Sequence, residues 1–148
     1  MSITASLNAI RDLLSRETGL AAQVGVPSRA AEGLFVWPYR LVLTEARTAL
    51  PRPPGALAEP PRTSVDIPLL VLARPSFTEA GLDALEAALQ ALMNTSVITL
   101  PDGEVGLHFD SRLGTADLAT LFAAARLQPS PALELVARTT VARATPVS

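Results

Sequence analysis

The stretch that decides the fold is TSVDIPLLVLARPSFTEAGLDALEAALQALMN, residues 63–94. Its first half alternates: Val65, Ile67, Leu69, Val71 and Ala73 take one face and Ser64, Asp66 and Pro68 the other, before Leu70 and Leu72 make both faces apolar. Period-two alternation of this kind specifies a strand that starts half exposed and ends buried on both sides. Pro75 and Ser76 stop it. Ser76 followed three residues later by Glu79 fits a capping box, in which each side chain satisfies a free amide at the start of a helix. Leu82, Leu85, Leu89 and Leu92 then recur at helical spacing with Asp83, Glu86 and Gln90 opposite, so the expected helix lays a leucine stripe on the sheet.

Towards the N-terminus, residues 34–45 are dense in strand formers, with Phe35, Trp37, Tyr39, Leu41 and Leu43 alternating with Val36, Arg40, Val42 and Thr44. Pro38 interrupts this long strand. A proline donates nothing to the ladder, so the strand is expected at an edge or bulged near Pro38. Between Arg47 and Arg62 lie Pro51, Pro53, Pro54, Pro60 and Pro61, which predict an extended loop outside the core. Further upstream, Ile3, Leu7, Ile10 and Leu14 define an amphipathic helix, with Ser2 or Thr4 as its cap and Gly19 as a left-handed terminator.

Towards the C-terminus, Val97–Leu100 and Glu104–Asp110 flank Pro101, Asp102 and Gly103, a hairpin pattern. Thr115 is the expected N-cap of a short helix bearing Leu118, Leu121 and Phe122. Pro129 and Pro131 follow it. Leu133, Leu135, Ala137, Thr139 and Val141 form one face of a last strand. The order implies an α+β fold, a mixed or mainly antiparallel sheet with two or three helices packed on it, in a single domain over residues 1–148.

Composition narrows the function classes. Of 148 residues, 49% are hydrophobic and 18% charged, ample for a folded core. The absence of cysteine excludes disulfide scaffolds, thiol catalysis and Cys-ligated metals. All 12 basic residues are arginine, so phosphate-loop and Schiff-base lysines are excluded, and no Gly-rich nucleotide motif or nucleophile elbow occurs. A net charge of −2 offers no field to attract nucleic acid or anionic lipid. No apolar run is long enough to insert in a membrane, and no signal pattern opens the chain, so cytoplasmic synthesis is expected.

Few residues carry candidate chemistry. His108 and Asp110 share a strand face at the spacing of a ligand or acid/base pair, but two groups do not complete a metal site. Trp37 and Tyr39 beside Arg40 suggest either an aromatic platform or packing, and packing is favoured. Arg47, Arg52 and Arg62 frame the proline-rich loop, where planar guanidinium groups suit a partner's carboxylates. The candidate subunit interface is therefore Trp37, Tyr39, Arg40, Arg47, Arg52 and Arg62.

The N-terminal helix from Ile3 to Leu14, the strands Leu34–Thr44 and Val65–Leu72, and the Leu-Glu-Ala-Ala-Leu-Gln-Ala-Leu core of the helix Phe77–Met93 make a recognisable series. Leu-Phe-Ala-Ala-Ala and Pro-Ser-Pro-Ala-Leu-Glu-Leu-Val in the closing segment Leu118–Val141 complete it. This arrangement resembles the cap or tail-terminator-like proteins of contractile injection systems, which are phage-tail-like particles. The resemblance implies a tail-terminator-like fold and a structural role: a homo-oligomeric ring, commonly of six subunits, that ends a tube and meets tube and sheath subunits. It implies no catalysis and no cofactor. Two readings stand beside it: a small binding or regulatory domain that recognises a peptide or ligand through its sheet, and a metal-dependent enzyme using His108.

Overall fold

The computed structural model describes residues 1–28, 30–44 and 62–142. Ten elements follow in chain order: α1 (Ile3–Thr18), β1 (Ala22–Val24), β2 (Gly33–Pro38), β3 (Val42–Thr44), β4 (Arg62–Arg74), α2 (Glu79–Met93), β5 (Val97–Leu100), β6 (Gly103–Phe109), α3 (Thr115–Ala124) and β7 (Leu133–Ala142). The strands form one 7-stranded sheet in the order β1-β2-β4-β7-β6-β5, with β3 also paired to β4. Only β1–β2 is parallel, so the sheet is mixed but mainly antiparallel, and with its three helices it has the expected α+β form.

β4 is the axis of the molecule because its sequence is apolar on both faces where helices lie on both sides. Val65, Ile67, Leu69 and Val71 join Leu7, Ile10, Leu13 and Leu14 of α1 and Ala88, Ala91 and Leu92 of α2 in the larger core. Leu70 and Leu72 face the other way, into a smaller core with Phe35, Trp37, Phe122 and Leu127. The Ser6 hydroxyl of α1 donates to that of Thr139 on β7 across the helix–sheet boundary, 3.1 Å apart and both buried. Satisfied in this way, two hydroxyls enter an apolar interior at little cost.

The strand expected over residues 34–45 is two strands. Pro38 pairs with Leu69 and Val42 with Asp66, so four steps on one strand answer three on β4. The surplus residue is a bulge at Tyr39, Arg40 and Leu41. It also accounts for Pro68 inside a central strand. The Tyr39 N–H donates to the Pro68 carbonyl (3.2 Å), so the Pro68 nitrogen faces the same side, where the bulge already interrupts the ladder. β2 is not an edge strand, since β1 flanks it at Leu34–Val36; among the described residues β3 pairs with β4 alone.

Helix ends agree with the sequence in α1 and differ in α2 and α3. The Ser2 hydroxyl accepts from the Ala5 N–H (3.0 Å), and Gly19, at φ 71°, closes α1 by donating to the Ser15 carbonyl. At α2 the cap is Thr78, not Ser76: its hydroxyl accepts from the Gly81 N–H (3.0 Å), while the Ser76 hydroxyl accepts from the Arg74 guanidinium. Gly114, not Thr115, caps α3, and the Asp117 carboxylate accepts its N–H (3.2 Å).

The α2 stripe is rotated from its expected position. Gly81, Ala88, Ala91 and Leu92 are buried, Leu85 and Leu89 are half-buried, and Leu82 is 49% exposed. The helix presents small residues to α1 and β4, which lets their backbones approach closely. A Cβ at Gly81 would run into the Pro75 carbonyl. The leucines lie along the flank of that contact.

Candidate functional site

The face of the sheet opposite α1 and α2 holds most of the residues singled out in the sequence. Trp37 is 5% exposed and meets Phe122 of α3 edge to face, with ring centroids 5.8 Å apart. Its ring therefore belongs to the smaller core and is turned away from solvent, which excludes the aromatic-platform alternative. Tyr39 extends from the same face, and its hydroxyl donates to Glu134 Oε1 (3.0 Å). Arg40 and Leu41 are exposed on the bulge.

Glu134 has a second task. Its Oε1 also accepts the backbone N–H groups of Arg112 (2.8 Å) and Leu113 (3.0 Å), so one carboxylate fixes both the bulge and the approach to α3. Burial and this acidic neighbour push the Tyr39 hydroxyl well above its ordinary pKa, leaving it a neutral donor.

Next to it, Asp66 is a buried carboxylate on β4. Arg138, its cross-strand partner on β7, donates through Nε (2.7 Å) and a terminal nitrogen (3.0 Å), a bidentate pair, and Arg112 stands 3.6 Å away. The Arg138 bonds hold the Asp66 carboxyl below its usual range, against the opposing effect of burial. The Arg138 guanidinium is half exposed, so the pair is buried at one end and wet at the other. This cluster was not legible as a site. Asp66 reads as a polar position on a half-exposed face, and Arg138 becomes its partner only through the β4–β7 register.

His108 lies exposed on this face, and Asp110 accepts from Arg112 Nε (2.8 Å). Among the described residues no group of three or more potential metal ligands occurs. Arg62 begins β4; Arg47 and Arg52, with nearly all of the proline-rich loop, lie outside the described residues. No helix among the described residues is long and apolar enough to cross a membrane.

Several exposed apolar residues that the sequence did not mark as functional sit towards the margins of the sheet. Leu43 of β3 is 71% exposed and Leu41 is exposed beside it; at the opposite margin Val97 of β5 is exposed, as are Met93 at the end of α2 and Phe109. Their signal in the sequence was only apolar character, which core strands share.

The chain is thus a helix-covered sheet with ion-paired polar residues on one face and exposed apolar residues at its margins. Two solved structures share this fold. The anti-feeding prophage cap, described as the AFP tube terminating cap, superposes with a TM-score of 0.77 at 17% identity over 98% of this chain. The PVC sheath/tube terminator of an extracellular contractile injection system superposes with a TM-score of 0.74 at 15% identity over 100% of it. The chain shares the fold of tail terminators and spans 56% and 61% of those two chains. No protein-family model matches it, and no curated protein matches it.

Proposed function

We propose that the chain is a structural assembly protein that caps or terminates the tube, or tube and sheath, of a contractile phage-tail-like injection particle. It acts as a closed ring, of six copies as the sequence resemblance implies, and needs neither catalysis nor cofactor. The observation that carries this is the likeness to two terminators over essentially the whole chain. The molecule's own surface is compatible with it: α1 and α2 cover one face of the sheet, α3 covers part of the other, and apolar side chains are exposed at its margins.

Tyr39 and Arg40 on the bulge, with Arg47 and Arg52 between β3 and β4 in sequence and Arg62 at the start of β4, are the side chains we expect at the subunit boundary. Trp37 contributes from beneath, by fixing the bulge against α3. The test is imaging of tubes grown from the particle's tube subunits in the presence of this chain carrying a gold label. Label confined to tube ends supports capping; label along the sides, or on no tube, contradicts it.

A further inference from the structure

The two margins of the sheet fit each other. Among the described residues β5 pairs only with β6 and β3 only with β4, so each leaves one edge open. Natural edges are guarded by lysine, proline or inward charge, because an open edge recruits other strands. Val97-Ile98-Thr99-Leu100 and Leu41-Val42-Leu43-Thr44 carry no such guard. The Leu107 N–H bond to the Ser96 carbonyl (2.8 Å) sets the alternation of the β5–β6 hairpin, and it points the N–H and C=O groups of Val97 and Thr99 outward.

The margins also stand level. Val97 lies opposite Gly106, Gly106 opposite Arg138, Arg138 opposite Asp66, and Asp66 opposite Val42, one row across the sheet. Each step in that row is antiparallel, and after four reversals β3 and β5 run in the same direction. A rotation about an axis along the strands keeps direction, face and level. It therefore brings β3 of one copy beside β5 of the next in parallel, with Val42 at Val97 and Leu43 at Ile98. Level edges close by rotation; offset edges would propagate as a helix.

Side chains complete the fit. Leu43 shares the face of Val65, the face that bears α1. At the other margin that face holds a cleft of about 400 Å³ between α1 and β5, lined by the apolar Ala9, Leu13, Ile98 and Leu100 and by Asp12 and the Arg16–Glu17 ion pair. Leu43 of a neighbour would enter this cleft. α1 runs against β5, with its start near Leu100 and Glu17 near Thr95, so a strand parallel to β5 runs antiparallel to α1. We infer that the free edge of β5 and its cleft receive β3 of a second copy of this chain, continuing the sheet from subunit to subunit.

The inference rests on the ring reading, and its test separates the two. Leu43→Asp should leave the single chain folded, because that side chain is exposed, and should abolish the ring in light scattering. Thr99→Pro, which removes only an outward donor, should do the same. The chain has no native cysteine, so Leu43→Cys with Ile98→Cys gives a clean capture. Within one chain these positions lie about 19 Å apart across the sheet, beyond a disulfide's reach of about 7 Å. Oxidation should link neighbouring copies into a ladder of covalent oligomers, and each single cysteine should not. A ring that survives Leu43→Asp, or a double-cysteine ring without interchain disulfides, overturns this inference and leaves capping standing. A wild-type chain that stays single both free and on tube ends overturns the ring and this inference together.

Discussion

On the face that carries α1 and α2, fully buried aliphatic residues run without interruption from Ile10 and Leu14 through Ile67, Leu69 and Val71 to Leu135. On the opposite face a small aromatic core under α3 gives way within four residues of β4, Leu70 to Asp66 across Pro68, to ion pairs and a carboxylate that accepts three hydrogen bonds. The first face draws its stability from area removed from water, which does not depend on pH. The second is held by geometry: removing one partner releases a loop or a bulge without opening the main core. The two faces should therefore fail differently.

The largest expected effect lies on the first face. Leu14→Ala removes a fully buried side chain from the α1–sheet contact and should cost about 2–5 kcal/mol in denaturant unfolding. A loss below about 1 kcal/mol would mean that α1 merely rests on the sheet and that the contrast between the faces is false.

Asp66→Asn comes next. It should cost about 1–3 kcal/mol at neutral pH, since a charge-assisted bidentate pair becomes a neutral contact. The wild-type Asp66 carboxyl is held below its ordinary value, chiefly by the Arg138 bonds. A depressed acid contributes stability above its unfolded pKa of about 3.9 and loses it as pH falls through the lower folded value. The gap between wild type and Asp66→Asn should thus be full near pH 7 and shrink below about pH 4. A gap unchanged down to pH 2 would show that shape, not charge, holds this face.

The smallest effect sharpens the account of α2. Thr78→Ala should cost about 1 kcal/mol through the lost cap, while Ser76→Ala should stay within about 0.5 kcal/mol as a surface change. The reverse order in thermal or denaturant unfolding would return the cap to Ser76.

The elements were largely legible because their signals are local. Alternation in Val65–Ala73, heptad-like spacing in Ile3–Leu14 and the Pro-Asp-Gly turn each specify one element without reference to the rest. What was hidden depends on partners distant in sequence. Ser76 and Thr78 are both plausible caps three residues from a suitable N–H, and only the path of the chain out of β4 decides between them. The leucines of α2 have a perfect period, yet Ala88 and Ala91 take the buried position beside α1, where close packing favours small residues, and Gly81 is buried against the Pro75 carbonyl. Pro38 did announce a bulge, though not that the two halves of its strand would both pair along β4. Asp66 with Arg138, and Val42 level with Val97, exist only as rows of the assembled sheet.

The most direct measurement of the central claim is the length distribution of tubes, by electron microscopy, as this chain is titrated into polymerising tube subunits. Capping predicts that mean length falls as the ratio of chain to tube subunit rises, that total polymer changes little, and that Leu43→Asp shifts the response to far higher ratios. Tubes whose lengths are the same at every ratio, with the wild-type chain left in solution as single molecules, would contradict it.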